Sequence, residues 1–160
     1  MLWLFLDIKF HSNDALLVVD IQNDFLPGGS LGVPQGDQVI SPIKHLISEA
    51  QKGHATIIAS RDWHPANHIS FHEQGGPWPA HCVQNTHGAE FHQDLKYPEN
   101  TIVVSKATKS DSDAYSAFHA ETENGIPLPI ILEEHNIQRI IICGLCLDYC
   151  VKASSLDLIK

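Results

Sequence analysis

Four short runs of aliphatic and β-branched residues constrain this chain more than any other feature. They are ALLVVD (15–20), ATIIAS (55–60), TIVVS (101–105) and RIIIC (139–143). None alternates strictly between apolar and polar residues, so each reads as a strand covered on both faces rather than one with a wet side. Between the first two runs, Ile40, Ile43, Leu46, Ile47 and Ala50 recur at helical spacing, and Gly53 closes the stretch. A second helical pattern, IPLPIILEEHNI, precedes the fourth run, with Pro127 and Pro129 confining the helix to the residues beyond them. Strands alternating with helices imply right-handed crossovers and a parallel sheet, the α/β class. In such sheets ligands bind outside the carboxyl ends of the strands, which says where to look for chemistry.

The remaining bulk properties exclude more than they specify. A chain of 160 residues fits one domain with a real core. The net charge of −9 argues against nucleic acid or an acidic membrane surface as a partner. No apolar run approaches the ~18 residues that span a bilayer. The opening MLWLFLD has no basic flank and meets Asp7 too early for a secretion signal, so the four cysteines are expected as reduced thiols in a cytoplasm.

At the four strand ends stand an acid, a metal-like pair, an amine and a thiol: Asp20, then Asp62 with His64, then Lys106, then Cys150. A thiol attacks as thiolate, so a neighbouring cation and a positioned base activate it, roles open to Lys106 and Asp20. A helix beginning near Asp148 would place Cys150 at the positive end of a helix dipole, with amides able to hold an oxyanion. Asp62 and His64 lie two apart and share a face on an extended segment, and His81 in GGPWPAHC could complete a ligand set for Zn, Fe or Mn. His64, His68 and His72 form a competing set at helical spacing, weakened by Pro65 and Ile69, and a site with no metal stays open. Cys143 and Cys146 make a CxxC. Because Cys143 falls within the strand and no second CxxC exists, Cys143 reads as core and Cys146 as loop.

Five motifs in order, VVDIQNDFLPGGSLGVPQGD, SRDWHPANHISF, GGPWPAHCVQNTHGAEF, SKATKSDSDAYSAF and GLCLDYCVKA, resemble the nicotinamidase branch of the isochorismatase-like cysteine hydrolases. The resemblance runs over 14–160 and leaves 1–13 as an unassigned extension. It implies a three-layer α/β/α Rossmann-like fold that hydrolyses nicotinamide, and pyrazinamide as well, to the acid and ammonia. By motif, Asp20 would be the acid/base, Lys106 the cation beside the thiol and Cys150 the nucleophile that carries a thioester. Asp62, His64 and His81 would hold a divalent metal, commonly zinc. Phe25, Trp63 and Tyr115 would hold the ring, and Leu145 and Cys146 would line the loop of the oxyanion hole, with a cis peptide between them.

Two departures qualify that implication. The family's usual GxATDYC reads GLCLDYC here, with Cys146 in place of a small Ala and Leu147 in place of Thr. The family also continues past the nucleophile's helix, so the last strands are expected to be missing. The fourth strand would then be a hydrophobic edge open to a second copy, a homo-oligomer. Two other readings stand beside the first: a shortened, inactive remnant that binds metal or a partner, and a related hydrolase of another amide.

Overall fold

The computed structural model describes residues 8–159. Strands β1 (Asp14–Val19), β2 (Thr56–Asp62), β3 (Ile102–Lys106) and β4 (Arg139–Gly144) form one parallel sheet in the order β3-β2-β1-β4. The central strand explains the unbroken apolar runs. Leu16 and Val18 enter one core and Ala15, Leu17 and Val19 the other, and all are buried.

Helix α1 (Ile40–Lys52) covers the first face with Ile40, Ile43, Ile47 and Ala50, and Gly53 caps it. Helices α2 (Leu128–Glu134) and α3 (Lys152–Leu158) cover the other, where Leu128 and Ile131 are buried, so the molecule has three layers. Helix α2 begins at Leu128, ahead of Pro129. A proline in the first turn lacks only an N–H that would have no helical acceptor, so Pro129 sits inside the helix rather than before it. The crossover from β2 to β3 contains no α-helix, only short 3-10 turns at His72–Gln74 and His87–Ala89. Its Pro- and Gly-rich sequence forbids a longer helix and frees this loop to carry side chains to the sheet edge.

Of the segment 1–13, residues up to 7 lie outside the described residues. Phe10 is buried in the α1 core, and Lys9 offers its carbonyl to Arg139 at 2.7 Å. Strand β4 lies at the edge of the sheet among the described residues, with Ile140–Cys143 half-buried. Gly144 ends it at φ +131°, where a Cβ would meet Val19 O at 2.1 Å, so only glycine fits there. No helix among the described residues is long and apolar enough to cross a membrane.

Candidate active site

Each strand delivers one group to the same edge. Asp20 follows β1 in a left-handed conformation (φ 50°), uncommon for a residue with a side chain. Its Oδ1 accepts a hydrogen bond from the Ser60 hydroxyl at 2.7 Å, and its Oδ2 lies 3.0 Å from Lys106 Nζ. That contact lacks hydrogen-bond geometry, so Oδ2 keeps an acceptor position free. Lys106 ends β3, is fully buried, and also pairs with Asp62. Its Nζ stands 3.6 Å from the Cys150 Sγ. Cys150 is buried in a π-helical turn, Leu147–Val151, that leads into α3. The Leu145–Cys146 peptide before that turn is cis.

The charges set the protonation of this cluster. Burial raises the pKa of Asp20 against the pull of Lys106, and a carboxylate so raised is a stronger base. Burial opposes the ionised form of Asp62 too, yet the Lys106 ammonium prevails and holds its pKa down. Burial would lower the Lys106 ammonium, but Asp20 and Asp62 lift it well above the ordinary range and keep it charged. Burial pushes the Cys150 thiol up while Lys106 pulls it down, so the resting sulfur keeps its proton beside a base able to take it.

Asp62, His64 and His81 present ligand atoms within 4.8 Å of one another, all buried. His64 Nδ1 faces the Ala107 carbonyl at 3.1 Å, and His81 Nδ1 faces that of Pro79 at 2.8 Å. Each carbonyl can accept the Nδ1 proton, which leaves Nε2 with a lone pair. His64 Nε2 is buried with no hydrogen-bond partner, the condition of a ligand atom awaiting a cation. The residues therefore fit a divalent metal. His68 stacks on His64 at 4.2 Å between ring centroids, but its own nitrogens face Ser70 Oγ and the Ser112 carbonyl. His72 is exposed and bonds the Pro77 carbonyl.

A cavity of about 260 Å³ opens onto Asp62, His81 and Cys150, walled by Phe25, Tyr115, Cys146 and the Leu31–Pro34 segment. Trp63 and Leu145 are absent from that lining. Trp63 packs on the α1 core with the Arg61 guanidinium 3.8 Å over its ring, and Leu145 is buried in the same core. In their place stand Trp78 and Tyr149, edge to face at 5.3 Å, with Trp78 Nε1 donating to the Tyr115 hydroxyl at 3.1 Å. Sequence reading passed over both, and over three supports, of which Ser60 and Gln22 are buried and Asp24 half-buried. Ser60 holds Asp20. Gln22 takes the Asp62 amide and donates to its carbonyl. Asp24 accepts the amide of Cys82, next to His81, at 2.7 Å.

Comparison with known proteins gives concordant findings. The isochorismatase domain family is matched over residues 14–160. The nicotinamidase of Escherichia coli (strain K12) is 41% identical over 165 residues, covering 91% of this chain and 76% of that protein. The crystal structure of a pyrazinamidase of Pyrococcus horikoshii in complex with zinc superposes with a TM-score of 0.86 at 49% identity, covering 92% of this chain and 79% of that one. That of PnC1 from L. infantum in complex with nicotinate superposes at 0.81 and 37% identity, covering 95% and 77%.

Proposed function

The chain belongs to the isochorismatase family, and we propose that it works there as a nicotinamidase, hydrolysing nicotinamide to nicotinate and ammonia. The observation that carries this reading is the single ammonium of Lys106. It touches the base Asp20, the sulfur of Cys150 and the metal-facing Asp62 at once. The small aromatic-walled cavity suits a flat ring bearing one amide, and pyrazinamide would fit by the same chemistry.

In the first half-reaction the free acceptor position of Asp20 Oδ2 takes the Cys150 proton while Lys106 stabilises the thiolate. Sulfur attacks the carboxamide carbon, and Asp20 returns the proton to the departing ammonia. Water then adds to the nicotinoyl thioester with Asp20 again as base, which frees nicotinate and the thiol. Phe25, Trp78 and Tyr115 hold the ring so that the carbonyl faces the sulfur. Asp62, His64 and His81 would hold a divalent metal, zinc being the best fit to two imidazoles and a carboxylate and iron or manganese compatible, which would anchor the pyridine nitrogen.

The cytoplasm, a reducing compartment, is the location we infer, and there the four cysteines would remain thiols. Nicotinamide incubated with the zinc-loaded protein and followed by proton NMR should give nicotinate. A chelator-stripped sample should lose most of that conversion. Nicotinamide unchanged beside rapid hydrolysis of another small amide would overturn the substrate.

A further inference from the structure

Cys146 and Leu147 are the two positions of the GLCLDYC loop that depart from the expected pattern, and the structure places Cys146 on the cavity wall. Cys146 and Cys150 line the same cavity. The Cys146 carbonyl accepts hydrogen bonds from the Tyr149 and Val151 amides, both at 3.1 Å, so the chain winds a single turn around it with Cys150 between the two donors. Residues four apart in a helical turn have Cα atoms about 6 Å apart, within the roughly 4.4–6.8 Å that a disulfide spans. Their Cβ atoms lie about 5–6 Å apart, so the turn must tighten by roughly 1–2 Å for the bond to close. The charges of Asp20, Asp62 and Lys106 act on both thiols. Cys143 and Cys146 both pack against the α1 core, but of the two only Cys146 also lines the cavity. Cys82 is fully buried.

We propose that Cys146 is a resolving thiol, which captures an oxidised Cys150 as a reversible disulfide and so protects the nucleophile from irreversible oxidation. The inference rests on the reading of Cys150 as an activated thiol, not on the identity of the amide substrate. The oxidant is a hydroperoxide small enough to enter the cavity, hydrogen peroxide being the simplest. The Cys150 thiolate attacks one peroxide oxygen, the S–O bond forms as the O–O bond breaks, and hydroxide leaves. Sulfur has lost two electrons and peroxide has gained them. The Cys146 sulfur then attacks the sulfenic sulfur, the S–S bond forms as the S–O bond breaks, and hydroxide departs as water with the Cys146 proton, which Asp20 can relay. Burial raises both thiols, and Cys150 is the first target because Lys106 Nζ, 3.6 Å from its sulfur, stabilises its thiolate as Asp20 takes the proton. The Cys146 thiolate needed to resolve the sulfenic acid forms only as its proton passes to a neighbouring base. A dithiol reductant restores both thiols.

The test is peroxide treatment of the full chain, alkylation of the remaining thiols, and mass analysis of the tryptic peptide 140–152, which carries Cys143, Cys146 and Cys150. The expected product has lost two hydrogens, with Cys143 the one alkylated cysteine of the three, and its activity returns with dithiothreitol. In Cys146→Ala, activity measured against its own untreated sample should be lost without recovery, with Cys150 found as sulfinic acid. Sulfinic Cys150 as the main product in the unsubstituted chain would overturn the proposal. So would a bond between Cys143 and Cys146, or recovery that persists in Cys146→Ala. The mapping needs no turnover: a disulfide without nicotinamide hydrolysis would sink the proposed substrate alone, and hydrolysis without a disulfide would sink this inference alone.

Discussion

Asp62 and Lys106 are the last register pair between β2 and β3, and their side chains close into an ion pair at the sheet edge. The other Asp62 oxygen lies 3.6 Å from His64 Nε2, and the same Lys106 ammonium reaches Asp20 and Cys150. One parallel register thus welds the candidate metal centre to the candidate thiol site. A disturbance of either should be felt in both.

Lys106→Met keeps length and burial but leaves the Asp20 and Asp62 carboxylates without their cation. Breaking a buried pair in this way costs about 3–5 kcal/mol, read as a fall in urea stability, and activity should vanish. Adding Asp20→Asn should recover part of the stability and none of the activity. A single variant within about 1 kcal/mol of the parent would show that the pairings are not energetically coupled.

Removing one ligand should empty the metal centre. Zinc content by mass spectrometry should fall from one equivalent toward zero in His81→Ala, while His72→Ala, altered at an exposed ring, should keep it. Unchanged zinc in His81→Ala would shift the ligand set to His68.

The two tryptophans near the site separate binding from support. Trp78→Ala opens the cavity wall and should raise KM about tenfold, the equivalent of about 1.4 kcal/mol. Trp63→Ala should leave KM within about twofold and lower stability instead, because its ring lies under Arg61 on the α1 core. Reversed effects would exchange their roles.

At the opposite end of the sheet, Asp14 joins β1 to β4. The hydrogen bond from the Arg139 guanidinium, against the opposing effect of burial, holds its carboxyl below the ordinary 3.8. The folded chain thus keeps the carboxylate at a pH where the unfolded chain has protonated it. The stabilisation is complete above 3.8 and is lost as pH falls through the lowered folded value. Asp14→Asn should therefore unfold at lower urea than the parent at neutral pH, with the gap narrowing below pH 3.8. A gap independent of pH to the acid limit of folding would contradict this.

Much of this arrangement is legible in the sequence because the fold reads strand by strand. The runs 15–20, 55–60, 101–105 and 139–143 all became parallel strands, and the residues that follow them converge because parallel strands end together. The supports were not legible. Ser60, Gln22 and Asp24 act across 40 to 58 positions, and no local period marks a long-range hydrogen bond. Trp78 arrives on a loop without secondary-structure period. The position of Trp63 did leave a signal. If Asp62 and His64 share one face of an extended segment, the residue between them faces the other way, toward Arg61. The left-handed turns at Asp20 and Ala107, which set where those strand ends point, carry no glycine to announce them.

The most direct test of the central claim is ammonia release from nicotinamide by the purified 160-residue chain, set beside Cys150→Ala of matched circular dichroism and zinc content. Steady release by the parent and none by the variant is the predicted result. Equal release by both, or none by a folded, zinc-loaded parent, would contradict it.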